Sequence, residues 1–366
     1  MNTEFTHNIN IRSISKLPSP GQMKANLPLT EKSWDTVSEG REVIRRIIAG
    51  DDKRMLVIVG PCSIHDTREA VRYAEKLAKF KTFLQENNSQ MPLFLAMRVN
   101  CDKPRSRAQT NGKASWQGLF NDPKMDGSYD MERGFNLARN MMLQITSLGI
   151  PIATEMLEAA NYQVIDDCIS YVWLGARDSG SQDKKKIASG ASTPVGFKNG
   201  LSGSVDSAIH AIEFARHPHV FAAPDDDGVM CRFATNGNSH GHLIHRGFED
   251  KLNYDSESIR TSSRKLKELG LPERILVDMS HGNSRKDHIK QRGVAESVLE
   301  QIEKGERAIL GVMYESYLKD GKQEIPTNLH RLRKGVSVTD ACDGWERTEE
   351  TLKILARRFS KHLSKR

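Results

Sequence analysis

Met55-Leu-Val-Ile-Val59 is an unbroken apolar run that stops at Gly60-Pro61 and is followed at once by Cys62. A run without alternation suits a strand covered on both faces, as in a parallel sheet, and Gly-Pro cannot continue the ladder. Comparable runs recur at 93–99, 151–156, 171–176, 194–198, 219–223, 275–279 and 308–313. Helical patterns lie between most of them, at 67–86, 130–147, 159–168, 181–189, 204–216, 256–269 and 290–303. Ahead of the first strand, Thr30 opens an amphipathic segment through Val37, Val43, Ile44, Ile47 and Ile48 that ends at Gly50. Eight βα units in about 300 residues predict an α/β fold, a (β/α)8 TIM barrel.

Two stretches fall outside that rhythm. Val229 to Phe233 and His242 to His245 read as short strands around Asn236-Gly237, which predicts an inserted β-hairpin at about 224–250. Residues 1–33 carry Pro18, Pro20, Gly21 and Pro28 with little periodicity, and predict an extended arm lying on the body or reaching a neighbouring subunit. The expected organisation is an N-terminal arm and helix at 1–50, making oligomer contacts, and a catalytic barrel at 51–366.

Composition narrows the class. A chain of 366 residues with 37% hydrophobic content can bury a substantial core. No run approaches membrane-spanning length, and Met1 to Asn10 lacks a basic-then-apolar leader, so a cytoplasmic protein is expected. The cysteines at 62, 101, 168, 231 and 342 form no CxxC pair, which argues against a disulfide framework or zinc ribbon; any metal must use mixed ligands. A net charge of +7 suits anionic small substrates, and no stacking aromatics interleave the basic residues, so nucleic acid is not expected.

The ends of barrel strands converge on one face, where such folds collect catalytic groups. Reading along the chain, those ends deliver Cys62; Arg98, Lys103 and Arg105; Glu155; Arg177; Lys198; Arg246 after the expected hairpin; His281; and Glu315, with Asp340 in the long last loop. The cations exceed the need of one anion, and Arg suits bidentate contact with phosphate or carboxylate, so a doubly anionic substrate or two phosphorylated ones are expected. Cys, His, Glu and Asp together are a mixed-ligand set for a divalent transition metal. Taken singly, each has a plainer role: Cys62 as a small buried cap, Glu315 and Asp340 as partners of surplus arginines.

Gly60-Pro-Cys-Ser-Ile-His-Asp66, Lys103-Pro-Arg-Ser106, Gly175-Ala-Arg177, Pro194-Val-Gly-Phe-Lys-Asn-Gly200, Asp278-Met-Ser-His-Gly-Asn283, Gly311-Val-Met-Tyr-Glu-Ser316 and Thr339-Asp-Ala-Cys-Asp-Gly-Trp345 together resemble the type I 3-deoxy-D-arabino-heptulosonate 7-phosphate (DAHP) synthases, over about residues 12–360. The resemblance implies a homodimeric or homotetrameric barrel that condenses phosphoenolpyruvate with erythrose 4-phosphate at the start of the shikimate pathway. It also implies a divalent metal, Mn²⁺ first, with Fe²⁺, Co²⁺ or Zn²⁺ as alternatives. By motif, Cys62, His281, Glu315 and Asp340 correspond to metal ligands. Arg98, Lys103, Arg177, Lys198 and Arg246 correspond to the phosphoenolpyruvate site, and Pro104, Arg105 and Ser106 to the aldose phosphate site. Lys103, Glu155, Lys198 and His281 are the expected catalytic groups.

The chain departs from the family pattern in three places. The stretch from Ser106 to Ser115 is about six residues longer than usual and lies over the aldehyde subsite, which admits a specialised paralogue using another aldehyde. Asp178 follows Arg177, where it is expected to raise the cost of binding an anion. Asp225 to Asp227 open the expected hairpin, where regulated members bind aromatic amino acids; repulsion of the α-carboxylate predicts a rate insensitive to them. A catalytically silent assembly partner is the remaining alternative class.

Overall fold

The computed structural model describes residues 7–87, 91–105 and 115–363. Ten strands occur among them: β1 (Met55–Gly60), β2 (Leu93–Arg98), β3 (Ile152–Glu155), β4 (Tyr171–Leu174), β5 (Val195–Lys198), β6 (Val220–Pro224), β7 (Met230–Ala234), β8 (Gly241–His245), β9 (Ile275–Asp278) and β10 (Ile309–Glu315). Eight of them close a parallel barrel in the order β1-β10-β9-β8-β5-β4-β3-β2, while β6 and β7 pair separately and antiparallel. The expected (β/α)8 barrel is therefore the observed fold.

Alternation along each strand divides the core. Met55, Val57 and Val59 of β1 pack outward with the helices, whereas Leu56 and Ile58 point inward with Phe94, Ala96, Trp173, Leu276 and Met313. That inner cluster also contains Val43, Ile44, Ile47 and Ile48 of the long helix α2 (Glu31–Ala49). Thr30 caps α2 by accepting from Ser33 N, and left-handed Gly50 ends it, as the sequence predicts. The helix's apolar face thus stoppers the barrel at the amino ends of its strands.

Strand six corrects the sequence reading. The 219–223 run belongs to the hairpin, and 241–245 supplies the barrel strand. Gly241–His245 is buried throughout, but two of its five residues are histidines, which mask the apolar run. Their polarity is met internally: His242 Nε2 lies 2.9 Å from Tyr171 Oη, and His245 contacts Asn253 O at 2.6 Å and Ser262 Oγ at 2.9 Å. The hairpin turns at Asp225–Gly228, where Asp225 accepts from the backbone of Asp227 and Val229, and not at Asn236-Gly237. Gly237 lies in the connection to β8, where a side chain would collide with Arg216 O.

The arm is also more ordered than expected. Pro20–Asn26 forms a short helix, α1, closed by a capping box between Ser19 and Gln22. It latches the hairpin tip, with Gly21 N donating to Asp226 O at 2.7 Å and Lys24 Nζ meeting Asp226 at 2.9 Å and Asp166 at 3.0 Å. The remaining helices are α3 (Thr67–Asn87), α4 (Met131–Ser147), α5 (Ala159–Ile165), α6 (Gln182–Gly190), α7 (Asp206–Ala215), α8 (Ser256–Glu268), α9 (Gln291–Glu303) and α10 (Trp345–Ser360). None of the described helices is long and apolar enough to cross a membrane.

Candidate active site

At the carboxyl ends of the strands, pairing of Gly60 with Glu315 fixes β1 against β10 and sets Cys62 beside the last loop. Cys62 Sγ and oxygens of Glu315 and Asp340 lie within 4.8 Å of one another, and Cys62 Sγ is 3.7 Å from Asp340 Oδ2. Ser63 Oγ contacts Thr339 Oγ1 at 2.8 Å and ties the two loops together. His281 occupies a left-handed backbone position and directs Nδ1 at Asp278 Oδ2, 2.9 Å away. With that proton committed, Nε2 is the nitrogen left to bind, and it stands 3.8 Å from Glu315 Oε1. Cys62, Glu315 and Asp340 are thus the donors within mutual reach, with His281 at their edge beside Glu315; sulfur and two carboxylates, joined by that nitrogen, fit a divalent transition metal.

Cations flank the donors. Arg98, only 1% exposed, donates Nη2 to Glu315 Oε1 at 2.8 Å and Nε to Pro61 O at 3.2 Å. Burial disfavours its charge, but Glu315 together with Cys62, Asp278 and Glu155 outweighs that and holds the guanidinium above its ordinary pKa. Lys103 Nζ lies 2.9 Å from Cys62 Sγ and 3.2 Å from Cys62 O. Burial raises the Cys62 thiol to about 11, with Glu315 adding and Lys103 opposing. Asp340 is held at about 2, because the surrounding positive charges, Lys103 first among them, together outweigh its burial.

Lys198 completes the floor, donating to Asp278 Oδ2 at 2.7 Å. Despite burial, Lys198 and His281 hold the Asp278 carboxyl well below its ordinary range, while burial draws the Lys198 ammonium below its own against the pull of Asp278. Both Arg98 and Lys198 sit over the Trp173 ring, at 5.2 and 5.6 Å. Arg246 feels the charges of Asp278, Arg177, Glu155 and Glu315, which places it on the same face. Gly175 leaves room for Glu155, since a Cβ there would collide with Glu155 Oε1. Arg105 is exposed at the rim and donates Nε to Trp116 O at 2.9 Å, with Pro104 between it and Lys103. Ser106 and the long stretch after it to residue 114 lie outside the described residues.

Two expectations need correction. Asp178 does not stand as a bare charge beside Arg177, because its Oδ1 pairs with Lys184 Nζ at 2.6 Å. Asp225 to Asp227 form the hairpin turn and do not line the cavity of about 380 Å³ between hairpin and helices, whose walls include Tyr162, Asp166, Ser189, Phe221, Phe233 and Thr235. Asp226 meets the cavity's edge only through Lys24, which it shares with Asp166 of the wall, so its charge is balanced there and does not face into the cavity.

Sequence reasoning missed the residues that hold the site. Asp278 anchors both Lys198 and His281, and its place at the end of β9 was the available signal. Asn100 donates to Cys62 O at 3.2 Å and accepts from Glu155 N at 3.1 Å, joining three strand ends. Gln291 on α9 brackets Glu315, donating to its carbonyl and accepting from its N–H.

The DAHP synthetase I family model matches residues 26–353. The chain is 40% identical over 366 residues to a tyrosine-sensitive phospho-2-dehydro-3-deoxyheptonate aldolase of Salmonella typhimurium, covering 100% of this chain and 99% of the relative. It is 41% identical over 351 residues to a tryptophan-sensitive counterpart of Escherichia coli, covering 96% and 97%. The solved phospho-2-dehydro-3-deoxyheptonate aldolase of Francisella tularensis superposes with a TM-score of 0.90 at 38% identity, over 96% of this chain and 98% of the other. Fold, strand-end chemistry and relatives agree that the chain belongs to the DAHP synthetase I family of aromatic biosynthesis and is a carbon–carbon bond-forming transferase.

Proposed function

We propose that the protein condenses phosphoenolpyruvate with erythrose 4-phosphate to give DAHP and phosphate, at a site formed by Cys62, His281, Glu315 and Asp340 with Arg98, Lys103, Arg177, Lys198 and Arg246. The observation that carries this reading is the contact of an anion-binding cation with the metal-donor set itself: Lys103 Nζ at 2.9 Å from Cys62 Sγ. The four donors would hold Mn²⁺, or another divalent transition metal, which supplies Lewis-acid polarisation of the aldehyde.

The residues divide the remaining work. Arg98, Lys198 and Arg246 neutralise the phosphate and carboxylate of phosphoenolpyruvate in a site where few waters compete. C3 of the enol phosphate then bonds to the aldehyde carbon, and Lys103 gives a proton to the oxygen that becomes a hydroxyl. Glu155 orients the water that adds to C2, and the proton this water gives up restores Lys103; as the new C2 hydroxyl becomes the ketone, the C2–O bond to phosphate breaks and phosphate leaves with the hydroxyl's proton. Arg105 and Ser106 hold the aldose phosphate at the rim. The assembled donor set supports an active enzyme over a silent partner.

Incubation with phosphoenolpyruvate, Mn²⁺ and a panel of aldehydes tests the reading, with phosphate release and product mass as readouts. Turnover of erythrose 4-phosphate alone supports it; turnover only with another aldehyde would replace it with the paralogue reading. The relatives' names declare sensitivity to tyrosine or tryptophan, and the cavity beside the Phe221–Phe233 stack supports an aromatic amino acid effector here. Exposed Ile9, Ile11, Ile14 and Leu17 support the segment ahead of α1 as the contact with a second copy.

A further inference from the structure

Lys103 sits in irregular backbone beyond β2, where no ladder fixes it, and a flexible four-carbon stem cannot position its own ammonium. The anchorage must come from its neighbours. Its N–H donates to Gln117 O at 2.7 Å, and Phe120 N donates to Cys101 O at 3.1 Å. Gly118 packs so closely that a Cβ there would stand 2.8 Å from Asp102 Cα. The residue next to Lys103, Asp102, is buried, and each of its oxygens accepts one amide: Oδ1 from Asn121 Nδ2 at 2.9 Å and Oδ2 from Asn161 Nδ2 at 2.8 Å.

This is a costly arrangement for a carboxylate. Neither donor is charged, and burial pushes the Asp102 carboxyl up to about 7. An asparagine in its place would offer a single acceptor oxygen and turn its own NH₂ toward one of the two amides. Only a group with two acceptor ends joins Asn121, beneath the loop, to Asn161, on α5.

We propose that Asp102 is a positioning residue for Lys103, and that Asn161 on α5 is the fixed point against which it is held. The inference rests on the assignment of Lys103 to the phosphoenolpyruvate site. It names a helix outside the site, α5, as a determinant of how tightly that substrate binds.

Calorimetric titration of phosphoenolpyruvate into Mn²⁺-loaded wild type, D102N, N161A, D102N/N161A and D102N/N161D provides the test, together with steady-state kinetics in both substrates and thermal unfolding. D102N and N161A are each expected to weaken phosphoenolpyruvate binding by ~10-fold, and their effects are expected not to add in D102N/N161A. The KM for erythrose 4-phosphate and the unfolding midpoint should stay near wild type. D102N/N161D reverses the polarity of the bond, with the amide at 102 donating to the carboxylate at 161, and is expected to recover most of the loss. Wild-type affinity in D102N or N161A overturns the proposal, as does additivity, a failed recovery, or parallel loss of both substrates and of thermal stability. If wild type itself does not bind phosphoenolpyruvate, the assignment of the site fails and the inference fails with it; binding by wild type and D102N alike removes the inference alone.

Discussion

The ammonium of Lys103 faces the sulfur of Cys62 at 2.9 Å and its carbonyl oxygen at 3.2 Å, so one side chain spans the proposed substrate site and the proposed metal site. The Cys62 thiol, raised to about 11 chiefly by burial, must lose its proton when a metal binds. Cys62→Ala should weaken Mn²⁺ binding more than ~100-fold and abolish metal-dependent turnover. It should cost only about 1 kcal/mol of stability, since little volume is removed. Mn²⁺ titration followed by electron paramagnetic resonance, with thermal unfolding alongside, decides the matter. Normal Mn²⁺ binding with retained activity removes Cys62 from the ligand set.

Lys198→Ala should do more than weaken phosphoenolpyruvate binding. It leaves Asp278 fully buried with His281 and Ser280 as its remaining polar partners. Breaking a buried ion pair of this kind costs about 3–5 kcal/mol. Denaturant unfolding should show that loss, while Lys198→Ala/Asp278→Asn should regain part of it without regaining substrate affinity. A single variant as stable as wild type contradicts the pairing.

Burial decides which parts of this architecture the sequence reveals. Seven of the eight barrel strands announce themselves as apolar runs, and Cys62, Lys198, His281 and Glu315 follow from their places at or beyond strand ends. The strand at Gly241–His245 is hidden because His242 and His245 are buried polar groups satisfied by Tyr171, Asn253 and Ser262. The decoy run at 219–223 is apolar yet half exposed, since a hairpin covers only one face. Lys184 neutralising Asp178, and Asp278 serving Lys198 and His281 together, depend on side-chain proximity that periodicity does not encode. The helix α10 lies beyond the last helical pattern marked in the sequence, although Thr348, Leu352, Leu355 and Phe359 of its buried face do fall at helical spacing.

His242 makes a pH prediction. Burial depresses its pKa to about 4, below an unfolded value near 6.5. Between those values the unfolded chain binds the extra proton, so stability is present above about 6.5 and is lost as pH falls toward 4. Asp102 and Asp343, raised to about 7 and about 6 mainly by burial, act in the opposite sense, so total stability is a poor readout. The difference between wild type and His242→Asn isolates the group. That difference should move against wild type by about 3 kcal/mol from pH 6.5 to 4. A pH-independent difference contradicts a neutral buried His242.

With Asp225 to Asp227 on the hairpin turn, the cavity walls are free to receive a ring between Phe221 and the helices. At least one of phenylalanine, tyrosine and tryptophan should inhibit at millimolar concentration, and Phe221→Ala should weaken that inhibition by roughly 10-fold while sparing uninhibited turnover. Rates measured with each amino acid, at saturating substrate and near KM, test this. Insensitivity to all three means that the cavity serves no aromatic effector.

The stopper made by Val43, Ile44, Ile47 and Ile48 of α2 closes the barrel at the amino ends of its strands, so the described site opens at the carboxyl ends. Arg98 and Lys198 lie at the floor, nearly inaccessible, whereas Arg105 is exposed at the rim. Two reactants of unequal depth cannot pass each other in such a vessel. On the proposed sites, the anion destined for the floor would enter first, and the aldose phosphate at the rim would then bar its retreat until the new bond has formed. Order of addition, a kinetic property, would then follow from the closed end that α2 gives the barrel.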